Sequence, residues 1–440
     1  MARIYPFRAL RYNPSLVRLE DVVTQPYDKI SPAMQQAYYQ RSPYNLVRII
    51  LGLPELFDGP DGDIYARAAR DFSAWRESGI LAQENEPCVF AYSQRFRLPG
   101  LEGVVRERKG FIALGELYDY DQKVVFRHEQ TLSKPKSDRL NLLRATRAHF
   151  GQIFMLYSDP GLSAERLLFH PHDVPDIEVT DEYDVLHRVW RVSDPSTINL
   201  LTTALEDKKL IIADGHHRYE TALNYRREHT IPAPTERSTY SSPQPPYPEA
   251  AVMMTFINMD SEGLVILPAH RLICGLDKFV PSTFLEKAEA FFEVKKLAAE
   301  DPAELLSLLA TYSGKTAFIV ATAAGKHLLA ARPDTAAEAL GEFSERQRQL
   351  DVVQLHARIL DKLLDITPEA VKEQRHVRYL RDAAEAIGQV EQGEANAAFL
   401  MNPVSLDQLR EVAFAGEVLP QKSTDFYPKL LSGLAIYALD

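Results

Sequence analysis

The 440-residue sequence predicts a mixed α/β fold: a mixed sheet with flanking helices, a helix-rich insert or second subdomain, and a C-terminal return to the main core. Three observations carry this. Strand-like and helix-like segments alternate through the first 276 residues, and alanine- and leucine-rich helical periodicity takes over after residue 277. The chain then closes on an apolar strand. The expected partition is a main α/β domain over 1–276, a helix-rich subdomain over 277–390 and a segment over 391–440 that rejoins the main core, as the length suggests two or three domains.

The elements follow in order. In "VVTQPYDKISP", Pro26 pushes Gln25 towards an extended conformation, and "SPAMQQAYYQ" reads as a helix with Ser31 as N-cap and Pro32 at its first position. "DIYARAARDFSAWRESGIL" spaces Tyr65, Ala68, Ala69, Phe72, Trp75 and Ile80 at helical intervals, with Gly79 at its end. "PCVFAYSQRFRL" and "RKGFIALGELYDY" alternate about a charged turn and read as a hairpin. A polar loop follows, then a helix from about Ser137 and a strand from Gln152 to Tyr157. "IEVTDEYDVLHRVWRVSD" gives further strand, "STINLLTTALEDKK" a helix and "LIIAD" a buried strand. "IPAPTERSTYSSPQPPYP" has six prolines in eighteen residues and is expected to form a flap. "AAVMMTFINMDSEGLVILPAHRLI" reads as two strands about the turn Asp260 to Gly263. The insert holds helices and the hairpin "TAFIVATAAGKHLLAA", and the C-terminal segment reads as strand, helix, the polar loop "PQKSTDFYPK" and a last strand.

Composition narrows the function. The chain has 45% hydrophobic and 25% charged residues, a formal net charge of -11 and a pI near 5.6. An acidic chain of this kind argues against a nucleic-acid partner. Cys88 and Cys274 stand far apart with no CxxC, which excludes a cysteine zinc site and fits a reducing cytoplasm. No signal core and no run near the roughly 18 apolar residues of a spanning helix is present, so no membrane partner is expected.

The chemistry gathers in "LIIADGHHRYETAL". A buried strand delivering Asp214 to a turn at Gly215, with His216, His217 and Arg218 opening a helix, is an anion-site pattern. First-turn amides lack intrahelical partners, the helix dipole is positive there, and glycine admits close backbone approach. The same residues supply a base or metal ligand, two titratable rings and a guanidinium clamp. The plain alternative has Asp214 capping the helix, one histidine in the core and Arg218 paired with a surface acid. "RHEQTLSKPKSDRLNLLRAT" adds His128 beside Glu129, with Lys134, Arg139 and Arg144 ahead of and within a helix, or else a solvated basic loop. "LPAHRLI" places His270 and Arg271 past a strand end, a second HR pair expected to meet the first in one phosphate cleft, or else a surface arginine, and "PQKSTDFYPK" offers Lys422, Ser423, Thr424 and Lys429 as phosphate contacts or as a capped turn. "QPYDKI" adds Tyr27 and Asp28 as a ligand-facing turn or a plain type I turn. GxGxxG, GxSxG, HExxH and Walker patterns are absent.

Together "MARIYPFRALRYNP", "VVTQPYDKIS", "SPYNLVRI", "HEQTLSKPKSDRLNLLRAT", "ADGHHRYETAL", "LPAHRLI" and "LPQKSTDFYPKLLSGL" resemble the bacterial and archaeal domain of unknown function 1015 family across essentially the whole chain. The DGHHR turn, with Glu220 and Ala222 behind it and His128 and Glu129 as an acid-bearing pair, is similar to the strand-to-helix turn of the ParB and sulfiredoxin superfamily. Its free-serine kinases are the nearest in pattern. The resemblance implies a ParB/sulfiredoxin-like core and phosphoryl transfer to a small hydroxyl metabolite such as free serine, with ATP or ADP and Mg2+ as cofactors. It further implies that Gly215, His216, His217 and Arg218 hold phosphates, while Glu129 or Asp214 takes the hydroxyl proton or the metal. A phosphohydrolase acting on phosphoserine-like metabolites and a ParB-like nucleotide-binding regulator are the alternatives.

Overall fold

The computed structural model describes residues 1–54, 64–100, 103–129, 133–170, 173–229, 243–332 and 340–440, with the backbone alone at 133–135. The chain divides into two compact units. The first comprises Met1–Arg127, Thr131–Leu264 and Pro428–Asp440, and the second His128–Gln130 with Val265–Tyr427. Compared with the expected partition, the second unit begins earlier, at Val265, and keeps residues 391–427. Only the last segment, from Pro428, belongs to the first unit.

The first unit is built on a mixed sheet, nine-stranded among the described residues. Its order is Val125–Phe126, Leu210–Asp214, Ile153–Tyr157, Ala251–Asn258, Val105–Glu116, Val89–Arg97, Leu186–Val192 and Ile177–Thr180, with Ile4–Tyr5 pairing onto Val105–Glu116. The expected hairpin is present, antiparallel from Phe90 opposite Ile112 to Arg97 opposite Val105. Leu210–Asp214 runs parallel to Val125–Phe126, and Ala251–Asn258 runs parallel to Ile153–Tyr157. Alternate residues of the central strands, among them Ala91, Phe111, Met155, Ile212 and Met254, share one apolar cluster with Ile198, Leu201 and Leu205 of helix Pro195–Glu206. Tyr219, Ala222 and Leu223 of helix His216–Glu228 join the same cluster. Period two on the strands and a spacing of three or four on the helices thus meet across one interface. Helix Pro32–Arg41 begins as its sequence predicts, with the Ser31 side chain accepting from the Met34 amide. Helix Ile64–Glu77 buries Ala68, Phe72 and Trp75.

The second unit departs from its helix-rich expectation. It holds a six-stranded antiparallel sheet in the order Phe292–Lys296, Gly325–Ala331, Ala317–Thr322, Ala397–Met401, His270–Ile273 and Val377–Leu380. Helices Pro302–Ala310 and Ala383–Glu391 pack on it through Leu305, Leu309, Ala386, Ile387 and Val390. The expected hairpin supplies two of these strands, antiparallel from Ala317 opposite Ala330 to Thr322 opposite Gly325, but the edge strands "FEVKK" and "VRYL" are short and charged, so their alternation is weak against the flanking helical periodicity.

The two strands expected about the turn Asp260 to Gly263 are present but do not pair with each other. Ala251–Asn258 stays in the first unit's sheet, whereas Val265–Leu267 pairs with Asp425–Tyr427 and His270–Ile273 enters the six-stranded sheet. Pro268 has no amide hydrogen to donate, and it falls where the second run splits into two strands. The "PQKSTDFYPK" segment accordingly contains a strand. Residues 231–242 of the proline-rich flap lie outside the described residues. Among the described residues no helix is long and apolar enough to cross a membrane.

Candidate functional site

In the first unit the opening of helix His216–Glu228 is where charge collects. Strand Leu210–Asp214 is buried up to Ala213, and its ladder with Ile153–Tyr157 shifts register between Ile212 and Asp214. Such an irregularity re-aims the side chain at a strand end. Gly215 follows with φ of 94°, a left-handed conformation that suits glycine, and stands as N-cap with no side-chain acceptor for the first-turn amides.

The Arg218 guanidinium folds back over this turn. Its Nη2 donates to Asp214 Oδ2 at 2.8 Å. A Cβ at Gly215 would lie 3.0 Å from Nε and Nη2 of Arg218, and one at Gly151 would lie 3.0 Å from its Nη1. The guanidinium therefore rests against two glycines because no larger residue leaves it room. On the other carboxylate oxygen, Lys429 Nζ sits 3.5 Å from Asp214 Oδ1. Burial opposes the charge on Asp214, but Lys429, Arg218, Lys29 and His216 together outweigh it and hold the carboxyl well below the usual carboxylate range. Asp214 is thus an ionised acid surrounded by cations.

Lys429 is itself positioned by the sheet. Gln94 Nε2 donates to the Lys429 carbonyl at 2.8 Å, and Arg108 donates to Gln94 Oε1 and to the Pro428 carbonyl. Arg108 is buried, with its guanidinium 4.7 Å from the Phe154 ring centroid, and burial pushes its pKa down to about 10. Beside Arg218 lies a small cavity of about 60 Å³, lined by Tyr27, Arg139, His149, Gly151, Thr221 and Ser432 together with apolar side chains. Arg139 lies 4.1 Å from the Tyr27 ring centroid and donates to the Ile50 carbonyl at 2.7 Å. Thr221 Oγ1 and Arg218 Nε are buried there without a hydrogen-bond partner among the described residues. Buried polar atoms left in this way are costly and mark a place for a ligand or water.

Several expected residues behave differently. Arg218 is engaged by Asp214, so the acid it pairs with belongs to the motif and is not a surface carboxylate. Asp214 does not cap the helix, since Gly215 occupies that position. His216 is nearly buried, as the plain alternative allows, and His217 is partly buried. Asp28 is exposed, and it is its neighbour Lys29 that acts on Asp214. Arg144 forms an exposed pair with Glu228 at 2.6 Å. The Lys134 side chain lies outside the described residues.

His128, Glu129, His270, Arg271, Lys422, Ser423 and Thr424 belong to the second unit. There His128 is buried, with Nε2 2.8 Å from Thr424 Oγ1, and the residues at Glu129 and Leu419 form a parallel bridge. His270 is buried with Nδ1 accepting from the Met401 amide, and burial with the adjacent Arg271 charge lowers its pKa to about 4. Arg271 donates to the Ala269 carbonyl and, at 3.2 Å, to that of Lys422. Lys422 is exposed, and the Ser423 hydroxyl donates to the Pro420 carbonyl. Sequence reasoning missed Lys29, Gln94, Arg108 and Gly151. Of these, only Lys29 lay inside a motif it singled out.

The metal expectation for Asp214 and Glu129 meets a chemical objection at Asp214. Its two oxygens face an arginine and a lysine, so a magnesium ion there would displace cations already in place. Among the described residues no group of three or more His, Cys, Asp or Glu could hold a metal ion. Phosphates fit better, because the first-turn amides lack a side-chain cap and cations cluster beside them.

The family model "Protein of unknown function (DUF1015)" matches residues 4–353, and the chain belongs to this family. No curated protein matches it. Among solved structures it is similar to a free serine kinase in complex with AMP, at 12% identity and a TM-score of 0.34, covering 69% of this chain and 83% of that one. It is also similar to SbnI with C-terminal truncation from Staphylococcus aureus, at 9% identity and a TM-score of 0.34, covering 73% and 85%. A conserved hypothetical protein from Pyrococcus furiosus matches at 13% identity and a TM-score of 0.31, covering 69% and 87%. Likenesses at such TM-scores leave the site to be judged on this chain's own residues.

Proposed function

We propose that this DUF1015 protein is a nucleotide-dependent phosphotransferase acting on a small hydroxyl metabolite, with free serine the first candidate from the sequence resemblance. The observation that supports it is the crowd of cations, Lys429, Arg218 and Lys29, around one ionised carboxylate at a helix N-terminus capped only by glycine. Positive charge in excess of the single acid, beside first-turn amides with no side-chain cap, suits a phosphoryl group.

A bound ATP or ADP would supply the terminal phosphoryl group, whose bond to the nucleotide breaks as a bond to the substrate hydroxyl oxygen forms. This chain's residues do the rest by position and charge, which is most of what phosphoryl transfer requires. Arg218 and Lys429 neutralise the phosphate oxygens, and the first-turn amides donate to them. Asp214 holds the two cations at fixed places and accepts the hydroxyl proton. A carboxyl held so far below its usual range is a weak base, suited to orienting the hydroxyl and taking its proton late. The small cavity at Tyr27, Arg139 and Thr221 favours a substrate of few atoms. No step is assigned to magnesium.

The test is direct. The full chain is incubated with serine and ATP or ADP, with and without magnesium, and separately with phosphoserine alone. Phosphoserine formed from serine supports the transfer. Release of phosphate from phosphoserine without transfer from a nucleotide would replace it with a hydrolase.

A further inference from the structure

In the second unit a second cation stands without a counter-ion. Arg271 is 2% exposed, and it donates to the carbonyls of Ala269 and Lys422 and, at 3.3 Å, to Met401 Sδ, all uncharged, with its guanidinium 5.3 Å from the Tyr379 ring centroid. No carboxylate lies within ion-pair range of it among the described residues, and its Nε has no hydrogen-bond partner there. Burial pushes its pKa down to about 10, against the more distant pull of Tyr379 and Glu129. A buried charge left in this way is expensive unless something of opposite sign is taken up.

Arg271 also lines a cavity of about 220 Å³ whose lining residues all belong to the second unit. Lys315 stands at its rim, and Asp351, Asn402, Gln408 and Ser423 supply hydrogen-bonding side chains. Asp351 shows no ion pair with Arg271. Its burial raises its pKa to about 7, so near neutral pH a part of the Asp351 population carries a proton and can donate to an oxygen. A concave space with a few convergent polar groups and one desolvated cation is the general form of a small-molecule site.

We propose that this cavity binds a small oxyanion, a carboxylate or a phosphate group, with the Arg271 guanidinium as its counter-ion and Lys315 at its entrance. Planar donors in a fork match either group.

Calorimetric titration of the full chain with sodium phosphate, and separately with sodium glycolate, at an ionic strength fixed with chloride, tests this. Saturable binding of at least one probe is expected. Binding of phosphate alone or glycolate alone then assigns the source of the oxyanion. The binding event that persists in Arg218→Ala should weaken at least tenfold in Arg271→Lys, which keeps the charge and loses the fork, and equally in Ser313→Trp, which fills the exposed rim and leaves Arg271 untouched. If Arg271→Lys does not fold, Ser313→Trp decides. Absence of saturable binding by both probes, or binding that survives Ser313→Trp and disappears in Arg218→Ala, overturns the proposal.

Discussion

Arg218 Nη2 lies 2.8 Å from Asp214 Oδ2, four residues back across a glycine turn, so the motif's own acid holds the motif's own arginine. The pair is pre-organised for exchange: an arriving phosphate can take Arg218 while Lys429 keeps Asp214 compensated. Arg218→Ala should therefore lower the affinity of the phosphate site at this turn by at least tenfold and leave the melting temperature within a few degrees, because Lys429 still faces Asp214. Calorimetry and thermal denaturation on the same samples check both halves. A collapse of the fold would make the pair structural.

The two glycines under the guanidinium separate geometry from backbone strain. Gly215→Ala would place a Cβ 3.0 Å from Arg218 and force a residue with a side chain into φ of 94°, at a cost of about 1–3 kcal/mol of stability. Gly151→Ala meets the same guanidinium at 3.0 Å without a left-handed backbone. It should displace Arg218 and weaken phosphate binding while leaving chemical denaturation nearly unchanged.

Gln94 acts on the site only through the Lys429 backbone. Gln94→Glu keeps an acceptor for Arg108 and removes the donor to the Lys429 carbonyl. Loss of one such hydrogen bond, about 1 kcal/mol, predicts roughly fivefold weaker phosphate binding. Gln94→Ala should cost more stability, because it strips the buried Arg108 of a partner. An unchanged phosphate affinity in Gln94→Glu would show that Lys429 needs no such support.

Acid titration should show two limbs. The His270 pKa is depressed from 6.5 to about 4, so the unfolded chain binds more protons between those values. Stability is full above 6.5 and falls as pH drops towards 4. The Asp214 pKa is depressed from 3.8, so its contribution is full above 3.8 and is lost as pH falls further. His149 and His356, whose pKa values burial also lowers to about 4 and about 3, share the first limb, so His270→Gln should reduce it without removing it, and Asp214→Asn should reduce the second, read from urea midpoints measured across the acid range. Asp214→Asn should also destabilise at neutral pH, because the buried Lys429 and the partly buried Arg218 lose the carboxylate charge that both face.

The strand-to-helix turn was legible because its parts are adjacent in sequence: buried strand, acid, glycine, basic helix start. The hairpin at 89–116 was legible for the same reason. The cation shell was less so. Lys429 could be named from its motif, but its approach to Asp214 across 215 positions depends on the C-terminal segment rejoining the first unit. Gln94 and Arg108 sit on strands where polar residues at alternating positions read as solvent-facing, yet both are buried. Of the six-stranded sheet the hairpin at 317–331 was legible, whereas its short charged edge strands carry too little alternation. The expectation that His270 and Arg271 meet the DGHHR cluster rests only on the local likeness of two His–Arg pairs, and both residues belong to the second unit.

The most direct measurement is transfer of labelled phosphate from the nucleotide terminus to serine by the full chain, compared between the natural protein and Arg218→Ala. The account predicts labelled phosphoserine from the natural protein and at least a hundredfold lower rate from the variant at an unchanged melting temperature. Equal rates in the two proteins would contradict it, as would a natural protein that neither transfers phosphate nor binds a nucleotide.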